Sequence, residues 1–125
     1  MSSVCVFCAI AAGEAPAEFV EDIGADYANE VGAMIFRPLG PQVPGHVLVV
    51  PRQHVANATE DLTITAATMA AAAEYASLVG PCNIITSVGA EATQSVFHLH
   101  VHVLPRGASD GLRPSWPWVR AKADS

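Results

Sequence analysis

The sequence predicts an α+β fold, in which a sheet of short strands packs against one main helix. The only long segment of good helix formers lies at about residues 62–79. Several short β-branched runs, such as residues 46–50, are bounded by proline, glycine or polar turns. Short connections between consecutive strands favour antiparallel pairing. The length of 125 residues suits one domain over 1–125, with a core at about 4–106 and an irregular tail at 107–125.

The N-terminal part of the chain predicts four small elements. Residues 7–12 are expected to form a short helix that a glycine ends, and residues 17–21 a short strand. Residues 27–30 and 32–36 are expected to pair as a hairpin, with a glycine near the turn.

The middle of the chain alternates loop, strand and helix. Residues 38–45 contain three prolines and two glycines, so they predict an ordered loop. Residues 46–50 predict a buried strand that a proline closes. The main helix can be capped at its start by Thr59 or Asp61, and a Gly-Pro pair stops it.

The last predicted elements are two strands and the loop between them. Residues 82–88 form the first strand, residues 89–94 a polar loop, and residues 95–104 the last and longest strand.

Composition narrows the range of partners. Six basic residues face twelve acidic ones, which gives a net charge of −6, and Lys122 is the only lysine. A nucleic acid polymer needs a basic surface and is therefore not expected, whereas backbone amides and a few fixed donors can still hold one phosphate. The chain has no run of 18 apolar residues, so no membrane helix is expected. The first residues lack the features of a signal peptide, so the expected location is the cytoplasm.

The strand that carries three histidines is the most informative segment. Side chains alternate between the two faces of a strand, so His98, His100 and His102 are expected to share one face. The Cα atoms of His98 and His102 would lie about 13 Å apart, which disfavours one metal ion bound by all three histidines. Divided roles are favoured instead, in which one histidine attacks phosphorus and its neighbours position it or the substrate.

Four blocks of sequence resemble the histidine triad family. The segment His98-Leu-His100-Val-His102-Val-Leu matches the pattern His-φ-His-φ-His-φ-φ, where φ is apolar, and Gln94-Ser95-Val96 precedes it. The resemblance covers the chain from Cys5 to about Trp116. The other two blocks are Cys5-Val-Phe-Cys8-x-Ile-x-Ala-Gly13-Glu-x-Pro16-Ala and Pro44-Gly45-His46-Val-Leu-Val-Val-Pro51-Arg-x-His54.

This resemblance implies an enzyme, a nucleotidyl hydrolase or transferase that cleaves a bond at a nucleotide α-phosphate. The substrate would be a phosphoramidate or a dinucleoside polyphosphate. His100 would attack the phosphorus and form a covalent nucleotidyl-histidine, which water then releases. His102 would contact the phosphate, and Ser95 and Gln94 match positions that touch the phosphate or the leaving group. The implied fold is a five-stranded antiparallel sheet with a helix packed on it, and the implied assembly is a homodimer.

The spacing of Cys5 and Cys8 leaves three interpretations open: a redox pair, half of a zinc site, or two buried thiols. A disulfide framework is not expected, because the chain has three cysteines and no export signal. The resemblance to bacterial members with this C-x-x-C implies a structural Cys₂His₂ zinc site formed by Cys5, Cys8, His46 and His98. His54 is interpreted as structural rather than catalytic.

The sequence departs from the family pattern where the nucleoside is expected to bind. Pro38 stands where members often have an acidic residue that holds the ribose hydroxyls, and Ser87 stands where many have an asparagine. Thr93 takes the place of a glycine before Gln94. The preference for base and sugar therefore stays open. The residues assigned to substrate binding are Phe36, Leu39 and Ser87.

Two other functions stay open at this point. One is a zinc-stabilised nucleotide-binding module with little turnover, which Pro38 and Ser87 favour. The other is a metal-dependent hydrolase that uses the three histidines as ligands, which their collinear spacing disfavours.

Overall fold

The structure, a computed structural model, describes residues 5–20 and 25–107, which form an α+β fold as predicted. Its elements, in chain order, are α1 (Val6–Ala11), β1 (Glu18–Phe19), α2 (Ala25–Glu30), β2 (Ala33–Arg37), β3 (Val47–Pro51), α3 (Leu62–Val79), β4 (Cys82–Ile85) and β5 (Val101–Pro105). The five strands form one sheet in the order β1-β2-β3-β5-β4, and every pair is antiparallel, as expected.

Different helices pack on the two faces of the sheet, α3 on one and α1 on the other. Val101 and Val103 point to the face on which α3 packs, where they join one buried cluster with small residues of that helix. The intervening residue His102 points to the opposite face, because side chains alternate along a strand. On that face Leu48, which is opposite His102 in the ladder, packs in a second cluster with Phe7 of α1. The sheet thus separates the structural core from the face that carries the histidines.

The main helix α3 has the predicted bounds. Asp61 caps it, since its carboxylate accepts a hydrogen bond from the Ile64 N–H at 3.1 Å. Ala71, Ala72 and Tyr75 are buried against the sheet. By length and composition this helix could also cross a membrane, but core helices of soluble proteins have the same features.

The predicted hairpin is wrong in its first half, because residues 27–30 belong to helix α2. The helix ends where the Gly32 N–H donates to the carbonyl of Asn29 at 3.2 Å. Gly32 has a φ of +80°, a left-handed conformation that glycine adopts readily at the end of a helix. Strand β2 pairs with β1 and β3 instead. Four residues carry too little periodicity to separate a helix from a strand.

The predicted last strand is a strand only in its second half, since β5 begins after His100. Before that point the N–H of Leu99 donates to the carbonyl of Val55 at 2.8 Å, in the loop after β3. The hydroxyl of Thr86 donates to the carbonyl of His100 at 2.8 Å. These bonds replace the ladder of a regular strand, so local loop contacts orient His98 and His100.

The remaining boundaries differ by a few residues. The predicted strands 17–21 and 82–88 are shorter in the structure, and the predicted helix 7–12 begins and ends one residue earlier. The irregular tail predicted for 107–125 lies outside the described residues apart from its first residue, and the single domain over the whole chain stays a prediction.

Candidate active site and metal cluster

Two sulfur and two nitrogen donors converge near the start of α1. The Sγ atoms of Cys5 and Cys8 and the ring nitrogens of His54 and His98 lie within 4.8 Å of one another. Nδ1 of His98 is 3.3 Å from Sγ of Cys5 and 3.6 Å from Sγ of Cys8. Nδ1 of His54 is 3.3 Å from Sγ of Cys8 and 3.6 Å from Sγ of Cys5. The two Nδ1 atoms are 3.1 Å apart.

This donor set fits zinc. A tetrahedral zinc with ordinary bond lengths has edges of roughly 3.3 Å between two nitrogens and roughly 3.6 Å between nitrogen and sulfur. The observed separations of 3.1–3.6 Å are close to these edges. Nε2 of His98 donates to the carbonyl of Pro51 at 2.8 Å, so the lone pair of its Nδ1 faces the cluster. Two thiols and two imidazoles are a common ligand set of structural zinc sites.

The structure corrects one member of the expected ligand set: the donor that lies beside Cys5, Cys8 and His98 is His54, and not His46. In the antiparallel ladder between β3 and β5, Val49 is opposite Val101 and Leu48 is opposite His102. The residue before β3, His46, therefore lies at the His102 end of the histidine segment. The loop after β3 runs past the other end and brings His54 to His98, where the two rings pack edge to face at 4.8 Å.

A single backbone hydrogen bond fixes the tautomer of His100. Its Nδ1 lies 2.8 Å from the carbonyl of His98. A carbonyl can only accept, so Nδ1 carries the proton and Nε2 keeps its lone pair. Burial lowers the pKa of His100 below 6.5, and the hydrogen bond to His98 opposes this only in part, so the ring is neutral at pH 7. Phe7 and His102 each pack edge to face on the ring, with centroids 5.2 Å away.

A hydrogen-bonded chain fixes the tautomer of His102. The N–H of Gln42 donates to Nδ1 of His46 at 2.9 Å, so the proton of His46 is on Nε2. This Nε2 donates to Nδ1 of His102 at 2.9 Å, and the proton of a neutral His102 is therefore on its own Nε2. Burial lowers the pKa of His46 to about 4 and, with the neighbouring His100 and His46, that of His102 to about 3. Both rings are thus neutral at pH 7, and His102 offers an N–H.

Two connected clefts lie beside these histidines. The first, of about 220 Å³, is lined by His100, His102 and Ser95, together with Thr93. The second, of about 550 Å³, is mostly apolar and is lined by Phe36 and the fully exposed Leu39, both of which were expected to bind substrate. Five residues line both clefts, which therefore form one continuous depression: Phe7, Pro38, Leu48, Ser95 and Val96.

Two residues expected at the site do not line these clefts. Ser87 lies beyond the end of β4 and lines neither of them. Gln94 was expected to touch the phosphate or leaving group, but its side chain is buried behind the cleft. Its amide nitrogen donates to the carbonyls of Ala56 and Val96 at 2.8 and 3.0 Å, and its oxygen accepts from the N–H of Gly89 at 2.8 Å. These bonds occupy the amide, so Gln94 holds the loop that carries Ser95.

The sequence analysis interpreted His54 as structural but did not place it in the donor cluster, and it gave no site role to Phe7 or Thr93. His54 was visible as the second histidine of the Pro-Gly-His block, but its contacts depend on the path of the loop after β3. Phe7, between the two cysteines, packs on His98 and His100 with centroids 5.7 and 5.2 Å away. Thr93 lines the cleft in the left-handed conformation, φ +78°, which is costly for a β-branched residue. The sequence did mark this position, because Thr93 stands where the family pattern has a glycine before Gln94.

Comparison with known proteins gives a consistent result. The family model described as HIT domain matches residues 27–109, so the two cysteines of the cluster lie before the matched range. An uncharacterised HIT-like protein of Mycobacterium tuberculosis is 36% identical over 115 residues, covering 86% of this chain and 75% of that protein. A solved HIT family hydrolase from Clostridium thermocellum has a TM-score of 0.71 and 29% identity, covering 92% of this chain and 100% of that one. A solved protein from Streptococcus mutans has a TM-score of 0.76 and 32% identity, and the match covers 93% of this chain and 74% of that one.

Acidification should destabilise the protein partly through His102. An unfolded histidine takes up a proton near pH 6.5, whereas His102 in the fold stays neutral down to a pKa of about 3. Between these values the unfolded chain binds more protons, so the free energy of unfolding falls as the pH is lowered, by about 1.4 kcal/mol per pH unit for this group. His102→Gln removes the group. Urea unfolding measured between about pH 7 and pH 5 should show that the free energy of unfolding falls less steeply with decreasing pH in the variant than in the wild type. The same pH dependence in both proteins would contradict a buried, neutral His102 ring.

Proposed function

The chain belongs to the histidine triad (HIT) family, and from that premise we propose that it cleaves a nucleotide conjugate at the α-phosphate through a covalent nucleotidyl-His100 intermediate. The conjugate is a nucleoside phosphoramidate or a dinucleoside polyphosphate. The observation that carries the proposal is the hydrogen bond from Nδ1 of His100 to the His98 carbonyl, which leaves Nε2 as a neutral nucleophile. The solved HIT family hydrolase among the similar structures supports hydrolase chemistry.

In the first step, Nε2 of His100 donates its electron pair to the α-phosphorus. The bond to the leaving group breaks, and the leaving group departs with that electron pair and takes a proton from Ser95, which lines the same cleft. The new N–P bond places a positive charge on the ring, and the His98 carbonyl, which accepts from Nδ1–H, stabilises that charge. Nε2–H of His102 donates to a phosphate oxygen, where negative charge develops.

In the second step, water attacks the same phosphorus from the side that the leaving group has vacated. The electron pair of the N–P bond returns to Nε2 of His100, and a nucleoside monophosphate is released. The water proton leaves through Ser95, which thereby regains the proton that it gave in the first step. His100 ends as the neutral Nδ1–H tautomer in which it began.

The larger cleft would hold the nucleoside. It is continuous with the cleft over His100, and its apolar lining suits the faces of a base. Phe36, which is buried, would form its floor, and Leu39, which is fully exposed, would form its rim.

Zinc would be held by Cys5, Cys8, His54 and His98, and its contribution would be structural. A closed four-ligand site stabilises the local fold and leaves no open position for substrate. Phe7 lies between the two cysteines in sequence and packs on His98 and His100, so the cluster and the nucleophile share one packing unit. The homodimer and the cytoplasmic location stay predictions from the sequence.

His100→Ala should abolish turnover while the chain stays folded. We expect nucleotide release from adenosine phosphoramidate, diadenosine polyphosphates or the guanosine counterparts to fall by at least roughly 10³-fold, because the nucleophile is lost. Intact-mass measurement after acid quench should show a nucleotidyl adduct on the wild type and none on the variant. Turnover that survives His100→Ala would refute the assignment. Nucleotide binding without turnover by the wild type would favour the binding module instead.

Zinc content should distinguish the two candidate histidines. His54→Ala removes a donor that lies within 3.6 Å of both sulfurs, so the purified variant should lose most of its zinc and unfold at a lower temperature. His46→Ala should keep one zinc per chain, because His46 contacts His102 and not the cysteines. Cys82→Ser is the control for the cysteines, since Cys82 lies on β4, outside the cluster. Zinc lost from His46→Ala and kept by His54→Ala would mean that His46, and not His54, is the zinc ligand.

A further inference from the structure

The pair Cys5 and Cys8 has the geometry of a reversible disulfide as well as that of a zinc half-site. Cys5 is the N-cap of α1, and Cys8 lies in the first turn of that helix. The N–H of Cys8 donates to Sγ of Cys5 at 3.3 Å, and the two sulfurs lie within 4.8 Å of each other. Residues three apart at the start of a helix have Cα atoms within the range of about 4.4–6.8 Å that a disulfide needs. Rotation of the two side chains therefore suffices to join the sulfurs.

Solvent reaches this pair through a third cleft. Cys5 lines this cleft, which has a volume of about 370 Å³, together with Val6, His54 and Phe97. His54 is exposed, Phe97 is 50% exposed, and both cysteines are half-buried. A small oxidant such as hydrogen peroxide can therefore reach Sγ of Cys5 while the chain stays folded.

The donor cluster favours oxidation of these two sulfurs over that of the third cysteine. Zinc binds thiolates, and the thiolate is the form of cysteine that hydroperoxides oxidise. Cys82, by contrast, lies on β4 outside the cluster, and burial raises the pKa of its thiol. An oxidant should therefore act on Cys5 and Cys8 before it acts on Cys82, which serves as an internal reference.

We propose that a hydroperoxide oxidises Cys5 and Cys8 to a reversible disulfide, and that zinc leaves the cluster as this bond forms. With hydrogen peroxide, Sγ of Cys5 attacks one oxygen and the O–O bond breaks, so that Cys5 becomes a sulfenic acid and hydroxide leaves. Sγ of Cys8 then attacks Sγ of Cys5, the S–O bond breaks, and a second hydroxide leaves. The two sulfurs together give up two electrons, and two protons from solvent convert both hydroxides to water. Zinc keeps only His54 and His98 as ligands and dissociates.

The disulfide would also disturb the nucleophile, because Phe7 lies between the two cysteines. Phe7 is buried, lines both clefts of the active site, and packs on the rings of His98 and His100. Joining the sulfurs moves the residues on both sides of Phe7, and loss of zinc frees the ring of His98, whose carbonyl orients His100. We expect oxidation to weaken nucleotide binding roughly fivefold or more, as is usual for coupled sites. Only this coupling depends on the proposed function, since it requires a nucleotide in the cleft.

The test treats the zinc-loaded protein with hydrogen peroxide. We expect the intact mass to fall by two hydrogen atoms, one zinc ion per chain to reach a colorimetric chelator, and peptide mapping to show a link between Cys5 and Cys8. A thiol reductant with added zinc should restore the starting state. Cys82→Ser is the matched control and should react like the wild type. In Cys8→Ser the sulfenic acid has no partner, so a sulfenic-acid reagent should label Cys5. The wild-type peptide map decides the link independently of this variant.

The outcomes separate the oxidation from its coupling and from the proposed function. Sulfinic or sulfonic acid without a disulfide, a disulfide that includes Cys82, or zinc retained at peroxide concentrations that oxidise glutathione would overturn the oxidisable pair. The affinity for AMP, measured by titration calorimetry, should fall on oxidation and recover on reduction with zinc, and equal affinities of both forms would overturn the coupling. A reduced protein that neither binds AMP nor turns over substrate would refute the proposed function and the coupling, while mass and zinc release would still decide the oxidation.

Discussion

The antiparallel register between β3 and β5 is the constraint on which the site depends. Because Leu48 is opposite His102, the residue before β3 and the loop after it reach opposite ends of the histidine segment. One end brings His46 to His102, and the other brings His54 to His98. His100 lies between these two contacts. A change of one residue in the register would move the ladder side chains to the other face and separate both pairs.

Each triad histidine is kept neutral by burial and oriented by a different hydrogen bond. His98 donates to the carbonyl of Pro51 and directs its free nitrogen to the sulfurs. His100 donates to the carbonyl of His98 and keeps the lone pair of Nε2 free. His102 accepts from His46 and is left with an N–H. Three identical side chains thus differ in which ring nitrogen is left free, because their backbone and histidine partners differ. These differences underlie the proposed roles of metal ligand, nucleophile and hydrogen-bond donor.

Local chemistry in the sequence predicted the fold class and the full bounds of α3. The division of roles among the histidines stays a prediction. Local chemistry failed where an answer depends on contacts between distant segments. The choice between His46 and His54 requires the β3–β5 register, which no local pattern contains. The buried amide of Gln94 resembles a polar site residue until its partners are known, which are Ala56 in the loop after β3 and Gly89 in its own loop. Period-two alternation described His102 well, but it was extended too far toward His98, where loop contacts replace the ladder.

The proposed mechanism depends most directly on the proton position of His100. Long-range ¹H–¹⁵N correlation spectra of histidine-labelled protein at pH 7 report which ring nitrogen is protonated. We expect His100 to be the neutral Nδ1–H tautomer, with Nε2 showing the chemical shift of an unprotonated nitrogen, because the His98 carbonyl accepts from Nδ1. A proton on Nε2, or a fully protonated ring, would contradict the nucleophile that the geometry assigns.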